Sequence, residues 1–345
     1  MAAPPVPPCG PPPPLALTMG EPAGIGGEIA LAAWRARRER AVPPFVLLDD
    51  PDRLADLAAR LGWNVRILPV TAPEEAAERF GECLPVLPVP LPAPVAYGRP
   101  DPANGAAVID SIDRAVALTR AGRTAAVVTN PIQKSALYAT GFRWPGHTEY
   151  LAHLAGLAGE PVMLLEGGGL RVALVTIHLA LRDVPAAVTE AAILATARTT
   201  AEALRTDFGI DRPRLAVAAL NPHAGEAGAL GGEEIAVIAP AVQALREAGI
   251  DASGPHPADT LFHADARARH DAVICMYHDQ ALIPLKTLDF ETGVNVTLGL
   301  PFVRTSPDHG TALGLAGTGR ASASSLIAAL KTARRIADRR AAASA

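Results

Sequence analysis

Histidine is the residue type to follow in this chain of 345 amino acids, because three of its nine histidines come just after short apolar runs. Val172–Ile177 leads into His178, Leu215–Leu220 into Asn221-Pro222-His223, and Ala272–Met276 into Tyr277-His278-Asp279. If each run is a strand, each histidine stands at a carboxyl end, where open α/β sheets bind their ligands. Three neutral imidazoles converging on one divalent ion leave a coordination position open, the layout of a catalytic rather than a structural site. The separations are 45 residues from His178 to His223 and 55 from His223 to His278. They match no local metal motif such as His-Glu-x-x-His. Taken singly, a histidine is more often a hydrogen-bonded core or surface residue than a ligand.

The same positional logic marks Thr129-Asn130-Pro131, with Lys134 one turn on, and Gly146-His147-Thr148-Glu149. Thr148 is placed to cap a following helix, whose first N–H groups attract anions. Further on, Lys286, Asn295 and Arg304 share a polar stretch with Asp308 and His309. Lysine and arginine suit an anionic substrate, arginine especially for two-pronged contact with carboxylate or phosphate. Each alone also reads as a solvated surface charge. Gly20-Glu21-Pro22-Ala23-Gly24-Ile25-Gly26-Gly27-Glu28 follows the first apolar run and opens a helix. Its glycines permit a tight turn and close backbone approach. The pattern is neither Gly-x-Gly-x-x-Gly nor a P-loop, and Gly317-Thr318-Gly319 is equally unspecific, so the cofactor-binding residues stay unassigned.

The elements that must carry these residues alternate. Strands are expected at Leu15–Thr18, Phe45–Leu48, Val65–Leu68, Ala125–Thr129, Val172–Ile177, Leu215–Leu220, Ala272–Met276 and Val294–Leu298. Helices are expected near Glu28–Arg38, Arg53–Leu61, Ala106–Arg120, Thr148–Leu157, Thr189–Phe208, Glu233–Ala248 and Ser322–Arg339. The alternation predicts βα units and a largely parallel sheet. Leu84–Pro102 reads as a long Pro-rich connection and Arg339–Ala345 as a frayed end.

Composition bounds the rest. The balance of 31 Lys+Arg against 35 Asp+Glu gives a net charge of -4, which argues against a nucleic-acid partner. With 49% hydrophobic and 19% charged residues the chain can bury a sizeable core. Cys9, Cys83 and Cys275 are too few and too far apart for a disulfide framework, which suits a reducing cytoplasm. Eight of the first 14 residues are proline, so Met1–Pro14 reads as a disordered, partly polyproline tail rather than an export or membrane segment. No transmembrane helix is expected.

Several long stretches, in order, resemble the 4-hydroxythreonine-4-phosphate dehydrogenase family, PdxA: LTMGEPAGIGGEIA, VVTNPIQK, GHTEYLA, ALNPHAGE, GPHPADTLF, YHDQALIPLK and VNVTLGLPFVRTSPDHGTA. The resemblance runs from about Leu15 to Leu330. It implies two α/β/α domains with a cleft between, similar to isocitrate and isopropylmalate dehydrogenases, here drawn as 15–130 with 283–345 and as 131–282. It implies a homodimer with a shared active site. The implied reaction is oxidation of 4-phosphohydroxy-L-threonine at C3 by NAD (or NADP), then decarboxylation to 3-amino-2-oxopropyl phosphate on the way to pyridoxal phosphate. The metal ligands carry over onto His178, His223 and His278, contributed across the dimer, for a zinc, magnesium or cobalt ion. The substrate contacts carry over onto His147, Thr148, Lys286, Asn295 and Arg304. Lys286, Asp259 and Asp279 are the candidates for moving protons, Asp279 alternatively orienting His278. Glu21, Gly27, His256 and Ala281 depart from the usual Asp, Pro, Leu and Gly. These departures leave open a paralogue acting on threonate or erythronate 4-phosphate or an aromatic cis-dihydrodiol. A non-catalytic module that binds metal or phosphate is the reading from another class.

Overall fold

The computed structural model describes residues 12–157 and 159–344. Most of the Pro-rich start, residues 1–11, lies outside the described residues. Pro13 and Pro14 are tied down: the Pro14 carbonyl accepts the Ala125 N–H at 2.9 Å and the Pro13 carbonyl accepts from Arg334 at 2.8 Å.

By its own contacts the chain divides into two units, one running through Glu160 and resuming at Leu300, the other Pro161–Gly299. These limits differ from those drawn at 130/131 and 282/283. Tyr150 and Leu151, on the helix His147–Ala155, are buried in the core of the first unit, and Val294–Leu298 pairs with Val162–Gly167 in the second. His147, Thr148 and Arg304 therefore belong to the first unit, Lys286 and Asn295 to the second.

In chain order the strands are β1 (Leu15–Thr18), β2 (Phe45–Asp49), β3 (Ile67–Pro69), β4 (Leu84–Pro88), β5 (Val127–Val128), β6 (Val162–Gly167), β7 (Leu170–Leu174), β8 (Arg214–Ala218), β9 (Asp251–His256), β10 (Ala272–Cys275), β11 (Val294–Leu298) and β12 (Arg304–Pro307). The first unit orders them β3-β4-β2-β1-β5-β12, all parallel. The second orders them β11-β6-β7-β10-β8-β9, with β6 antiparallel to both its neighbours.

Parallel strands are covered on both faces, and their sequences read as unbroken apolar runs. In the first unit Ala16, Val46, Leu48 and Val127 share a core with Val108, Ile112 and Ala115 of the helix Gly105–Arg120. The alternate residues Leu15, Leu17, Phe45 and Leu47 are fully buried as well. In the second unit Val172, Leu174, Ala216, Val273 and Cys275 pack with Ala281, Leu282 and Leu285 of the helix His278–Leu288.

The structure departs from expectation where polar or prolyl residues hide a strand. Leu84–Pro88 is strand β4, because burial of Leu84, Val86 and Leu87 outweighs its two prolines. β6, β9 and β12 were not expected; β9 (DASGPH) and β12 (RTSP) carry little apolar signal. The last helix runs Ser324–Ser344, through the segment expected to fray.

Two buried charges shape the loops of the first unit. Glu28 accepts the backbone N–H of Gly317 at 2.9 Å and of Ala321 at 3.0 Å, joining the first glycine-rich turn to the last. Arg53 grips Asp49 at the end of β2 with two hydrogen bonds of 2.6 and 3.0 Å, and its third nitrogen donates to the Pro22 carbonyl at 2.9 Å. Gly20, at φ +71°, lets the same turn lie against Asn130; a β-carbon there would fall 2.7 Å from the Asn130 Cβ. Removing one partner of a buried pair strands the other charge, at about 3–5 kcal/mol. Arg53→Ala should lose stability of that order in urea unfolding. A loss under about 1 kcal/mol, the range of exposed pairs, would show that Asp49 is not isolated from water.

Candidate functional site

In the first unit a basic group gathers at the ends of β5 and β12. Arg304 opens β12 in register with Val127, and its Nη2 donates to the Thr129 hydroxyl at 2.7 Å. The side chain is 3% exposed, and burial pushes it down to about 10, with the nearby Glu149 carboxylate opposing the shift. Beside Thr129, Asn130 is fully buried. Its amide donates to the Thr18 carbonyl at 2.9 Å, while its Oδ1 is enclosed without a partner among the described residues.

His147 begins the helix His147–Ala155. Thr148 was expected to cap it, but the cap position falls on Gly146, with no side-chain cap, and Thr148 lies within the first turn. The helix is anchored one turn on, where the Tyr150 hydroxyl donates to Asp113. His147 is half-buried as a residue, but its Nε2 is enclosed and without a partner among the described residues. Desolvation, then Arg304, then Lys134 hold the imidazole well below its ordinary range, so it is neutral. A neutral imidazole beside a buried guanidinium and an exposed ammonium is an arrangement suited to receiving an anion.

The second unit holds the three strand-end histidines. The strands stop earlier than expected, β7 at Leu174, β8 at Ala218 and β10 at Cys275, so each histidine lies on the segment after its strand. His178 and His278 come together, their rings 6.0 Å apart. His278 opens its helix, and its Nδ1 lies 2.7 Å from the Asp279 carboxylate. A carboxylate on Nδ1 leaves Nε2 as the remaining ring nitrogen, the arrangement that supports a metal-ligating histidine. A cavity of about 320 Å³ is lined by His178, His278, Asp279 and Leu181 among others. A second, of about 420 Å³, is lined by His278, Asp279, Ile283 and Lys286. Lys286 lies 5.8 Å over the Phe290 ring.

His223 is not brought to this pair. Among the described residues, no three His, Cys, Asp or Glu side chains close around one point. His223 starts a run of five residues, through Ala227, with φ between +45° and +77°. Such backbone is costly for residues other than glycine and persists only where its surroundings over-determine it. Glu234, which was not singled out from the sequence, supplies that constraint. Its carboxylate accepts the N–H groups of Leu220 and Asn221 at 2.9 and 2.7 Å, and the Asn221 amide at 3.0 Å. Burial would raise this carboxyl, but the hydrogen bonds from Asn221 and Leu220 outweigh it and hold Glu234 low. Asn295 lies on β11 with its Oδ1 enclosed. Asp259 stands exposed in the turn Ala258–Thr260 and lines neither cavity.

Comparisons with known proteins give the family and the fold. The family model for the pyridoxal phosphate biosynthetic protein PdxA matches residues 41–333. The chain belongs to this family. It is 56% identical to a 4-hydroxythreonine-4-phosphate dehydrogenase of Caulobacter vibrioides, over 95% of this chain and 98% of the relative. A solved 4-hydroxythreonine-4-phosphate dehydrogenase from Klebsiella pneumoniae superposes with a TM-score of 0.85 at 38% identity, covering 94% of this chain and 98% of that one. A terephthalate 1,2-cis-dihydrodiol dehydrogenase from Burkholderia xenovorans gives a TM-score of 0.61 at 29% identity, covering 92% and 96%. The mixed α/β fold is thus that of PdxA proteins. Among the described residues no helix is long and apolar enough to cross a membrane.

The enclosed His147 ring nitrogen carries a pH prediction. Its proton affinity is lower folded than unfolded, so below about pH 6.5 the unfolded chain takes up a proton that the folded chain refuses. Stability is complete above that pH and falls as pH drops, by at most about 1.4 kcal/mol per unit for this residue. His256 and His270, also lowered first by burial, add to the slope. His147→Asn should flatten the dependence of unfolding free energy between pH 7.5 and 5.5. An unchanged slope would mean that His147 is solvated.

Proposed function

We propose that this protein oxidises the C3 hydroxyl of 4-phosphohydroxy-L-threonine with NAD, and that the β-keto acid so formed loses carbon dioxide to give 3-amino-2-oxopropyl phosphate. The reading rests on one observation above others. A relative named for this activity matches nearly the whole of both chains at 56% identity. The reaction belongs to pyridoxal phosphate biosynthesis. NADP is the second nicotinamide cofactor to try. With Cys83 and Cys275 buried as free thiols, a reducing cytoplasm is its place.

The residues take roles by their chemistry. Arg304, with Thr129 holding its guanidinium, receives the anionic end of the substrate, and His147 and Thr148 supply neutral donors beside it. Asn295 offers an enclosed acceptor for a substrate donor. His178, His223 and His278 are imidazoles of the kind that hold zinc, cobalt or a similar ion, and magnesium is a third ion to test. Asp279 keeps His278 in the tautomer whose Nε2 lone pair is available. When bound, the ion supplies Lewis-acid polarisation of the substrate oxygen. Lys286 shares a cavity with His278 and Asp279, and we assign it the transfer of the hydroxyl proton and its return to carbon. Asp259, exposed and outside that cavity, is given no step.

The metal reading requires two copies of the chain. One copy pairs His178 with His278 and leaves His223 apart. The same unit exposes Leu181, Ile283 and Phe290, at 68%, 64% and 79%, large apolar side chains of the kind that a second copy covers. We therefore take the working form to be a homodimer whose sites draw ligands from both copies.

The test is reduced nicotinamide formation with 4-phosphohydroxy-L-threonine, NAD and added zinc, cobalt or magnesium, with and without chelator. Chelator-sensitive turnover is expected. Turnover only with threonate or erythronate 4-phosphate, or with a cis-dihydrodiol, would keep the chemistry and change the substrate. No turnover with any of them would overturn the enzymatic reading in favour of a binding module.

A further inference from the structure

The anion-binding group of the first unit contains one cation more than the roles above use. Lys134 begins the short helix Lys134–Tyr138, a few residues after β5. Its Cε and Nζ lie 3.6 and 3.7 Å from where a β-carbon on Gly146 would stand. The ammonium thus comes to the residue before His147, at the head of the helix His147–Ala155. Glu149 reaches the same spot, its Oε2 3.4 Å from that position.

The charges can be counted. Arg304 and Lys134 bring two positive charges, the uncapped start of the helix His147–Ala155 adds the partial positive charge of its first N–H groups, and Glu149 brings one negative charge. Both cations act on the His147 ring, whose Nε2 is enclosed without a partner among the described residues. A monoanion such as a carboxylate would pair with Arg304 alone. A dianion adds a second charge and three acceptor oxygens, which suit an ammonium that reaches in from outside the buried guanidinium.

We propose that Lys134 is a specificity-determining residue: it binds the phosphate dianion of the substrate together with Arg304 and makes this group select phosphate over carboxylate. This rests on the reading that Arg304, His147 and Thr148 receive the substrate's anionic end. Lysine suits the task as a compact charge on a flexible stem that needs no fixed fork. Because Lys134 is exposed, its removal leaves the core intact.

The test is binding of inorganic phosphate and of acetate to the full chain by calorimetry, which needs no turnover. Lys134→Ala should weaken phosphate about tenfold, as expected for one hydrogen bond between charged groups, and acetate less than about twofold. Lys134→Arg should restore most of the phosphate affinity, and Lys331→Ala, at an exposed site on the last helix, should change neither. In the turnover assay Lys134→Ala should raise KM for a phosphorylated substrate and leave kcat nearly unchanged. Equal phosphate affinity in parent and Lys134→Ala, equal weakening of both anions, or no phosphate binding by the parent would each overturn the proposal. A Lys134-dependent phosphate site in a protein that turns over no phosphohydroxythreonine would uphold it while refuting the catalytic reading.

Discussion

The bond from Arg304 to Thr129 is the interaction on which the rest of the first unit's chemistry depends. It holds a guanidinium where water has almost no access, at the meeting of β5 and β12. A charge in that position is expensive to desolvate, and the Thr129 hydroxyl is one of the groups that hold it there. Burial first, then this guanidinium and the Lys134 ammonium, keep His147 neutral, and Glu149 acts on Arg304 in the opposite sense. The strands that create this arrangement are short, two residues in β5 and four in β12, yet every residue of both is buried, β5 between β1 and β12 and β12 at the end of the unit's parallel row. The sheet holds its strand ends rigid, and the strand ends hold the charge.

The second unit uses the opposite device. Its histidines are not locked inside strands but lie on the segments beyond them, and each is fixed by a different local constraint. His278 is fixed by Asp279 at a helix start, and His178 lies beside it across a 6.0 Å ring separation. His223 stands on a left-handed run of backbone that Glu234 and Asn221 hold in place. Strain kept at such a position, against a preference for right-handed backbone, is what a site needs if the side chain must wait for a ligand. His223 does not join the other two in a group of three among the described residues, and the proposed three-histidine ion therefore draws on two copies.

Much of this was legible in the sequence, and the exceptions have physical causes. The apolar runs at Leu15–Thr18, Phe45–Leu48, Ala272–Met276 and Val294–Leu298 announce their strands within a residue or two. The α/β class follows from their alternation with helices, and family membership from the long ordered motifs. β9 and β12 were hidden because their pairing is backbone to backbone while their side chains are polar. Thr148 looked like a cap because its residue type fits one, but the backbone turns into the helix one residue earlier. Glu234 could not be found by position, since it acts from ten residues and more beyond the strand end whose N–H groups it accepts. The unit limits were misplaced because the helix at His147 belongs by packing, not by order, to the first core.

The proposed chemistry is an NAD-linked reaction run on histidines drawn from two copies of this chain. Its most direct test is to express His223→Ala and His278→Ala separately and then together, and to measure reduced nicotinamide formation with metal and 4-phosphohydroxy-L-threonine. Each variant alone should be inactive. Together they should form mixed dimers in which one of the two sites regains a full set of ligands, so a fraction of the parent activity returns. If the coexpressed pair stays as inactive as either variant while the parent turns over, all three histidines serve one copy, and the shared site is wrong.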